Sequence, residues 1–328
     1  MEVKTGISLG TGNQSYTFDK KHPRGLITEY ALAVNGTIAL DGGTAASNPL
    51  RVVRSVDVET DLHGKIIEGV DGKGLYRLGQ ILFGLDLAAA IASTSFRVPI
   101  LLPLHNMGNR LWQGMRPFDT ALWATVCKPV VTVALGPVTD LVTGGTAPTV
   151  TSVQIALSAR YKPNPTPEKY DPANGLFGDL PEGQLYIQRV QIPAYAAGAV
   201  EAPLPIGQGR RLLGIFFSQR NTSTDAEVDT EVTANSTVIS IKHGEDFPVY
   251  RKLVSQMKDE NLAQFGVLPS GWFAAWFNEY GRIIDGLDLR DISKELTVRF
   301  ENLAATSNQN IYMYLVSVKP PKEGSQPA

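Results

Sequence analysis

Short runs of β-branched and aromatic residues, cut off by Gly, Pro, Asn and Asp, recur along almost the whole chain. They predict strands over residues 26–34, 50–58, 130–135, 150–161, 184–192, 212–218, 236–242, 295–300 and 310–318. In TVTSVQIALSARY, Thr151, Val153, Ile155, Leu157 and Ala159 make an apolar row; Val150, Ser152, Gln154, Ala156 and Ser158 make a more polar one. Successive strand side chains point to opposite faces, so this is the pattern of a half-buried strand. Two stretches depart from alternation. Residues 75–93 are rich in Leu and Ala, and residues 248–264 place Val249, Leu253 and Met257 four apart with charges between them. Both predict helices, the second with Pro248 in its first turn.

The order of these elements repeats. HPRG then LITEYALAV in the first half answers LPIGQG then RRLLGIFFS in the second. LRVVRSVDV answers STVISIKHG, the two helical stretches follow with the pairs Tyr76–Arg77 and Tyr250–Arg251 aligned, and VVTVAL and VTSVQIALSARY answer LTVRF and NIYMYLVSVKP. Between the halves, KPNPTPEKYDPANG (162–175) has four prolines and no periodicity, as a semi-rigid linker does. Many short strands with turn-rich connections predict a sandwich or barrel, and an inserted helix favours a two-sheet jelly roll over an up-and-down barrel. The expected fold is all-β with short helices, two tandem eight-stranded jelly rolls. The expected division is 1–161 for the N-terminal jelly roll, 162–183 for the linker, 184–319 for the C-terminal jelly roll and 320–328 for a flexible tail. Residues 1–15 are expected to be a second flexible end.

Composition narrows the function. A chain of 328 residues accommodates two cores. A net charge of −2 gives no field of one sign, and the basic clusters, Lys20–Lys21 with Arg24 and Arg210–Arg211, are short, so no specific nucleic-acid binding is expected. The single cysteine, Cys127, rules out an internal disulfide and a multi-cysteine zinc site. The N-terminus has no apolar core of signal-peptide length, and no apolar run approaches the ~20 residues needed to span a bilayer; folding in a cytosol-like compartment is expected.

Candidate chemistry is sparse. His22, His63, His105 and His243 are scattered, and Gly10–Gly12 lacks the third glycine and the preceding strand of a dinucleotide site. DAEVDTEV places Asp225, Glu227, Asp229 and Glu231 on one face of an extended segment; it reads as a charge-protected edge strand or loop, with a Ca²⁺ site as the alternative. Asp285, Asp288 and Asp291 read as turn and strand-end residues. Trp272, Phe273, Trp276 and Phe277, like Trp112 and Trp123, read as core or subunit interface, with a sugar-binding platform as the alternative. The sequons at Asn13, Asn35, Asn221 and Asn235 carry no glycosylation meaning without a secretory signal. No catalytic, cofactor-binding or metal-binding residue is assigned, and no cofactor. A glycan- or amide-cleaving enzyme and a lectin-like binding module, each on two jelly rolls, stand as alternatives to a structural protein.

In GTGNQSYTFDKKHPRGLITEYALAVNGTIAL, LRVVRSVDVETD, GKGLYRLGQI and ILLPLHN of the first half, and in EAPLPIGQGRRLLGIFF, VYRKLV and GRIIDGLDLRDISKELTVRFENL of the second, the chain resembles the double jelly-roll major capsid proteins of tailless icosahedral bacteriophages. The likeness is to the corticovirus type and the related single-stranded-DNA Flavobacterium phage type. It spans nearly the whole chain in element order. It implies a structural protein without enzymatic activity that is made in the host cytoplasm and resides in the virion. Homotrimers would form pseudo-hexagonal capsomers that tile an icosahedral shell. The implied partners are neighbouring capsomers, a vertex (penton) protein and, in many members, an underlying lipid membrane.

Overall fold

The computed structural model describes residues 1–19, 25–60, 64–85, 87–103, 118–119, 129–163, 184–192, 198–206, 209–228, 237–243, 247–277, 286–289, 296–303 and 308–319. The chain divides into two compact units, residues 1–185 with 321–328, and residues 186–320. Most of the expected linker, 164–183, and the expected tail, 320–328, lie outside the described residues.

The first unit has eight principal strands: β1 Glu2–Leu9, β2 Gln14–Phe18, β3 Gly25–Ala39, β4 Val53–Thr60, β5 Gly64–Val70, β6 Ser95–Pro103, β7 Val130–Leu135 and β8 Thr149–Pro163. They form two antiparallel sheets in the orders β1-β8-β3-β6 and β5-β4-β7-β2. Alternation places the core. Val131, Val133 and Leu135 of β7 are buried while Val130, Thr132 and Ala134 between them are half-buried, and β4 buries Val56 and Val58 opposite them. The expected strand over residues 50–58 begins instead as a single 3₁₀ turn, Pro49–Val52, because Pro49 lacks an N–H and the Asn48 side chain accepts from the Leu50 N–H.

The second unit repeats this arrangement with β9 Gln184–Ile192, β10 Gly198–Pro203, β11 Arg211–Asn221, β12 Val238–His243, β13 Phe247–Leu253, β14 Trp272–Trp276, β15 Leu296–Leu303 and β16 Gln309–Lys319. Its sheets run β9-β16-β11-β14 and β13-β12-β15-β10. Counted within each unit, both have strand order 1-8-3-6 in one sheet and 2-7-4-5 in the other. One helix lies between the fifth and sixth strands of each: α1 Gly72–Phe83 and α2 Val254–Phe265. Two successive strands that belong to opposite sheets at nearly every step make a jelly roll, and the chain contains two of them. The second core gathers Phe217, Phe273 and Phe300 with Ile239, Ile241, Val298 and Met313; Phe273 stacks on Phe217 at 4.9 Å and Phe300 meets Phe217 edge-on at 5.6 Å.

Four expectations are corrected. Residues 1–15 are not a loose end: β1 pairs with β8 from Glu2↔Leu157 to Leu9↔Val150, buries Ile7 and Leu9, and leads into β2. The first helix ends at Phe83 rather than 93, because Gly84 adopts φ +63°, and its N–H closes onto the Gln80 carbonyl. Residues 248–253 are strand, not helix: Tyr250 packs against the core while Val249 and Arg251 on either side are exposed, a period of two. The helices therefore begin at Gly72 and Val254, and the two Tyr–Arg pairs are not equivalent, since Tyr76 lies within α1 and Tyr250 in the strand before α2.

Helix α2 is tied to the sheet by one buried side chain. The Asn261 amide donates to the Ala274 carbonyl at 3.0 Å and accepts from the Ala274 N–H at 2.7 Å. Asn261→Ala leaves both backbone groups of a strand residue unsatisfied in a buried setting. The expected cost is about 2–3 kcal/mol by chemical denaturation; a change below about 0.5 kcal/mol would show that water replaces the amide.

Candidate functional site

The polar groups singled out in the sequence mostly serve the fold. The described part of the acidic run, residues 225–228, is loop rather than extended edge strand. Asn221 folds its side-chain oxygen onto the N–H groups of Ser223 and Thr224 at 2.9 and 3.0 Å, and Asp225 takes φ +55°. This tight turn brings Asp225 and Glu227 back over the end of β11. There Arg220 is almost wholly buried. Its Nε donates to Ser218 Oγ at 2.9 Å, one terminal nitrogen donates to the Tyr314 hydroxyl, and the other lies 3.5 Å from Asp225 Oδ1. The guanidinium stands 4.7 Å from the Tyr312 ring centre, Trp272 stacks on Tyr314 at 5.3 Å, and Trp272 Nε1 donates to Glu227 at 2.8 Å. Asp229 and Glu231 lie outside the described residues.

Nor do the aromatic residues of β14 form an open platform. Trp272 and Trp276 are buried, Phe273 is in the core and Phe277 meets Tyr250 edge-on at 5.5 Å. Trp276 packs on Phe216 and Phe265, and so closely on β11 that a Cβ at Gly214 would sit 2.3 Å from its ring. Arg210 lies 3.7 Å over the Tyr186 ring and Arg211 pairs with Asp288 at 2.9 Å, so neither is a solvated strand-end charge. In the first unit, the buried carboxylate of Asp140 is held by Arg51 at 3.1 Å and by Arg54 Nε at 2.6 Å. His22, His63, His105, Cys127, Trp112, Trp123, Asp285 and Asp291 lie outside the described residues, and His243 ends β12. Among the described residues no three His, Cys, Asp or Glu side chains gather as a metal site would. A pocket of about 270 Å³ lies at the end of α2, lined by Leu262, Val267, Leu268, Pro269, Asn261 and Trp272 among others, with Leu262 and Val267 exposed at its mouth.

What remains for function is surface, and the 2-7-4-5 sheets carry charged side chains in register. In the second unit, strand register sets Glu201, Arg299, Ser240 and Arg251 side by side across β10, β15, β12 and β13. Glu301 pairs with Arg251 at 3.0 Å and lies 3.6 Å from Arg299. The hydrogen bond from Arg251, helped by the charges of Arg251, Arg299 and Lys242, holds the Glu301 carboxyl below the usual carboxylate range against an opposing desolvation. In the first unit the equivalent sheet shows Asp57 and Glu59 on β4 and Glu68 on β5, with Lys65 3.6 Å from Asp57 and 3.9 Å from Glu68. The second unit's charged face has no sequence signature that patterning could have exposed, because Glu201, Ser240, Arg251 and Arg299 come from strands far apart in the chain, whereas the first unit's charges lie on two consecutive strands.

No protein-family model and no curated protein sequence matches this chain. Solved structures match it nearly end to end. The major capsid protein of STIV, the Sulfolobus Turreted Icosahedral Virus, is 15% identical and superimposes with a TM-score of 0.64 over 97% of this chain and 96% of its own. The capsid of the virus PBCV-1 gives 11% identity and a TM-score of 0.58 over 97% and 92%. The major capsid protein P2 from bacteriophage PM2 gives 8% identity and a TM-score of 0.50 over 98% of both chains. At such identities the likeness is one of fold, and that fold is the double jelly roll.

Proposed function

We propose that this chain is the major capsid protein of an icosahedral virus, a structural subunit with no catalytic role. The observation that carries the reading is the duplication: the same 1-8-3-6 and 2-7-4-5 sheets, with a helix at the same place in each unit, aligned end to end with capsid proteins of three viruses. Two near-equivalent units per chain suit a threefold ring, which then presents six near-equivalent positions around its axis. In this reading the chain forms homotrimeric, pseudo-hexagonal capsomers that tile the virion shell, with jelly rolls at 1–161 and 184–319. The tailless phage type, a vertex protein and an underlying membrane follow from the resemblance of sequence segments and belong to the same proposal. The occupied chemistry of Arg220, Asp225, Glu227 and the β14 aromatics supports it over a hydrolase or lectin reading.

The test is the mass of the purified chain by light scattering. A trimer of roughly 106 kDa, three times 35.5 kDa, is expected, with shell fragments or closed particles in electron micrographs. A monomer that binds or cleaves glycans would sink the reading.

A further inference from the structure

We infer, on the reading of the chain as a shell subunit, that the outer face of the β5-β4-β7-β2 sheet docks on the outer face of the β13-β12-β15-β10 sheet of a second copy. The two faces are the same surface of the same fold, and their charges are opposite. On the first, among the described residues, the carboxylates of Asp57, Glu59 and Glu68 outnumber Lys65, while Arg54 of β4 turns away to Asp140. On the second, among the described residues, Lys242, Arg251 and Arg299 outnumber Glu201 and Glu301.

Neither face is spent within the chain. Glu59 is exposed, and the side chains of Lys65, Glu68 and Arg251 are 46%, 44% and 58% accessible. The accessible Arg251, beside a lysine that acts on Glu301 through its charge, presents the cationic side to an incoming carboxylate. Carboxylates at strand spacing are what the first unit of another copy offers. Such a contact is heterologous, acidic face to basic face, so one copy can engage two others and a ring or lattice can grow. Opposed potentials on matching surfaces also fix register and reject like-face encounters.

Charge reversal with restoration tests this. Glu59→Lys with Glu68→Lys inverts the acidic face; Lys242→Glu with Arg251→Glu inverts the basic one. Each pair is expected to lower the yield of assembled particles at least tenfold, while circular dichroism and the melting midpoint stay near those of the unmodified chain. The chain with all four changes should return to within about threefold. On the unmodified chain, raising salt from ~0.05 to ~0.5 M should weaken assembly at least tenfold. Wild-type yields from both folded single-face variants, a folded fourfold variant that does not recover, or assembly indifferent to salt would overturn the inference and leave the shell reading standing. So would a basic-face variant that assembles normally and loses only bound nucleic acid. An unmodified chain that stays monomeric removes the shell reading, and the docking with it.

Discussion

Arg220→Ala is expected to destabilise the second unit by about 3–5 kcal/mol, the range for breaking a buried charged pair from one side. The magnitude follows from what alanine abandons. Asp225, whose side chain is 14% accessible, would keep its charge without its partner. Ser218 and the Tyr314 hydroxyl would each lose a buried acceptor role, and the rings of Tyr312 and Trp272 would face a void where the guanidinium stood. The turn from Asn221 to Glu227 would lose the anchor that draws its acidic side chains inward. Arg220→Met should cost less than the alanine change by about 1–2 kcal/mol, because it refills the volume while Asp225, Ser218 and Tyr314 still lose their partner. The check is urea denaturation followed by tryptophan fluorescence. Trp272 sits in the cluster, so its emission should shift to the red in the alanine variant even before unfolding. A midpoint for Arg220→Ala indistinguishable from the unmodified chain would mean that the cluster is an accident of packing.

Those same residues show where sequence reading reaches and where it stops. The duplication is legible because its strands are short β-branched and aromatic runs bounded by turn residues: LITEYALAV and RRLLGIFFS, VVTVAL and LTVRF, are true counterparts, the third and seventh strands of their units, although alternate burial marks β3, β7 and β15 and not β11, which is buried almost throughout. The fifth strand of the second unit misleads because Val249, Leu253 and Met257 mimic one helical face. Leu253 ends the strand, Met257 belongs to α2, and Val249 is exposed on an edge strand. β14 is hidden for another reason. All five residues of Trp272–Trp276 are buried on both faces of the sheet, so no alternation remains to be read. DAEVDTEV keeps a period of two, but Asn221 and the left-handed Asp225 curl its start into a turn, and nothing local reports the buried arginine that attracts Asp225. Side chains that meet across distant strands, as Arg251, Ser240 and Arg299 do, depend on register that the sequence states nowhere in one place.

Removal of residues 1–9 is expected to abolish folding of the first unit. With a polar, glycine-containing start and no long apolar run, MEVKTGISLGTGNQSY has the composition of a loose arm, and a loose arm could be cut without harm. The register says otherwise. β1 lies along β8 from Glu2↔Leu157 to Leu9↔Val150, in spite of two irregularities, one of them at Gly6 where φ is +71°. Its loss would expose the apolar residues that Ile7 and Leu9 cover, worth about 1.5–3 kcal/mol for each side chain. It would also strip β8 of its outer backbone hydrogen bonds, at about 0.5–1.5 kcal/mol apiece. Together these approach the 5–15 kcal/mol that holds an ordinary domain folded. The freed β8 edge, with Val153 and Ile155 on its buried face, would become a template for aggregation. The truncated chain should therefore be recovered as aggregate, or as a protein whose first unit is cut by protease at concentrations that spare the full chain. Removal of Met1 alone, which is exposed and precedes the strand, should change nothing. A soluble 10–328 chain with an unchanged denaturation midpoint would show that β1 is dispensable, and residues 1–9 would then be free to serve contacts between subunits instead of the fold.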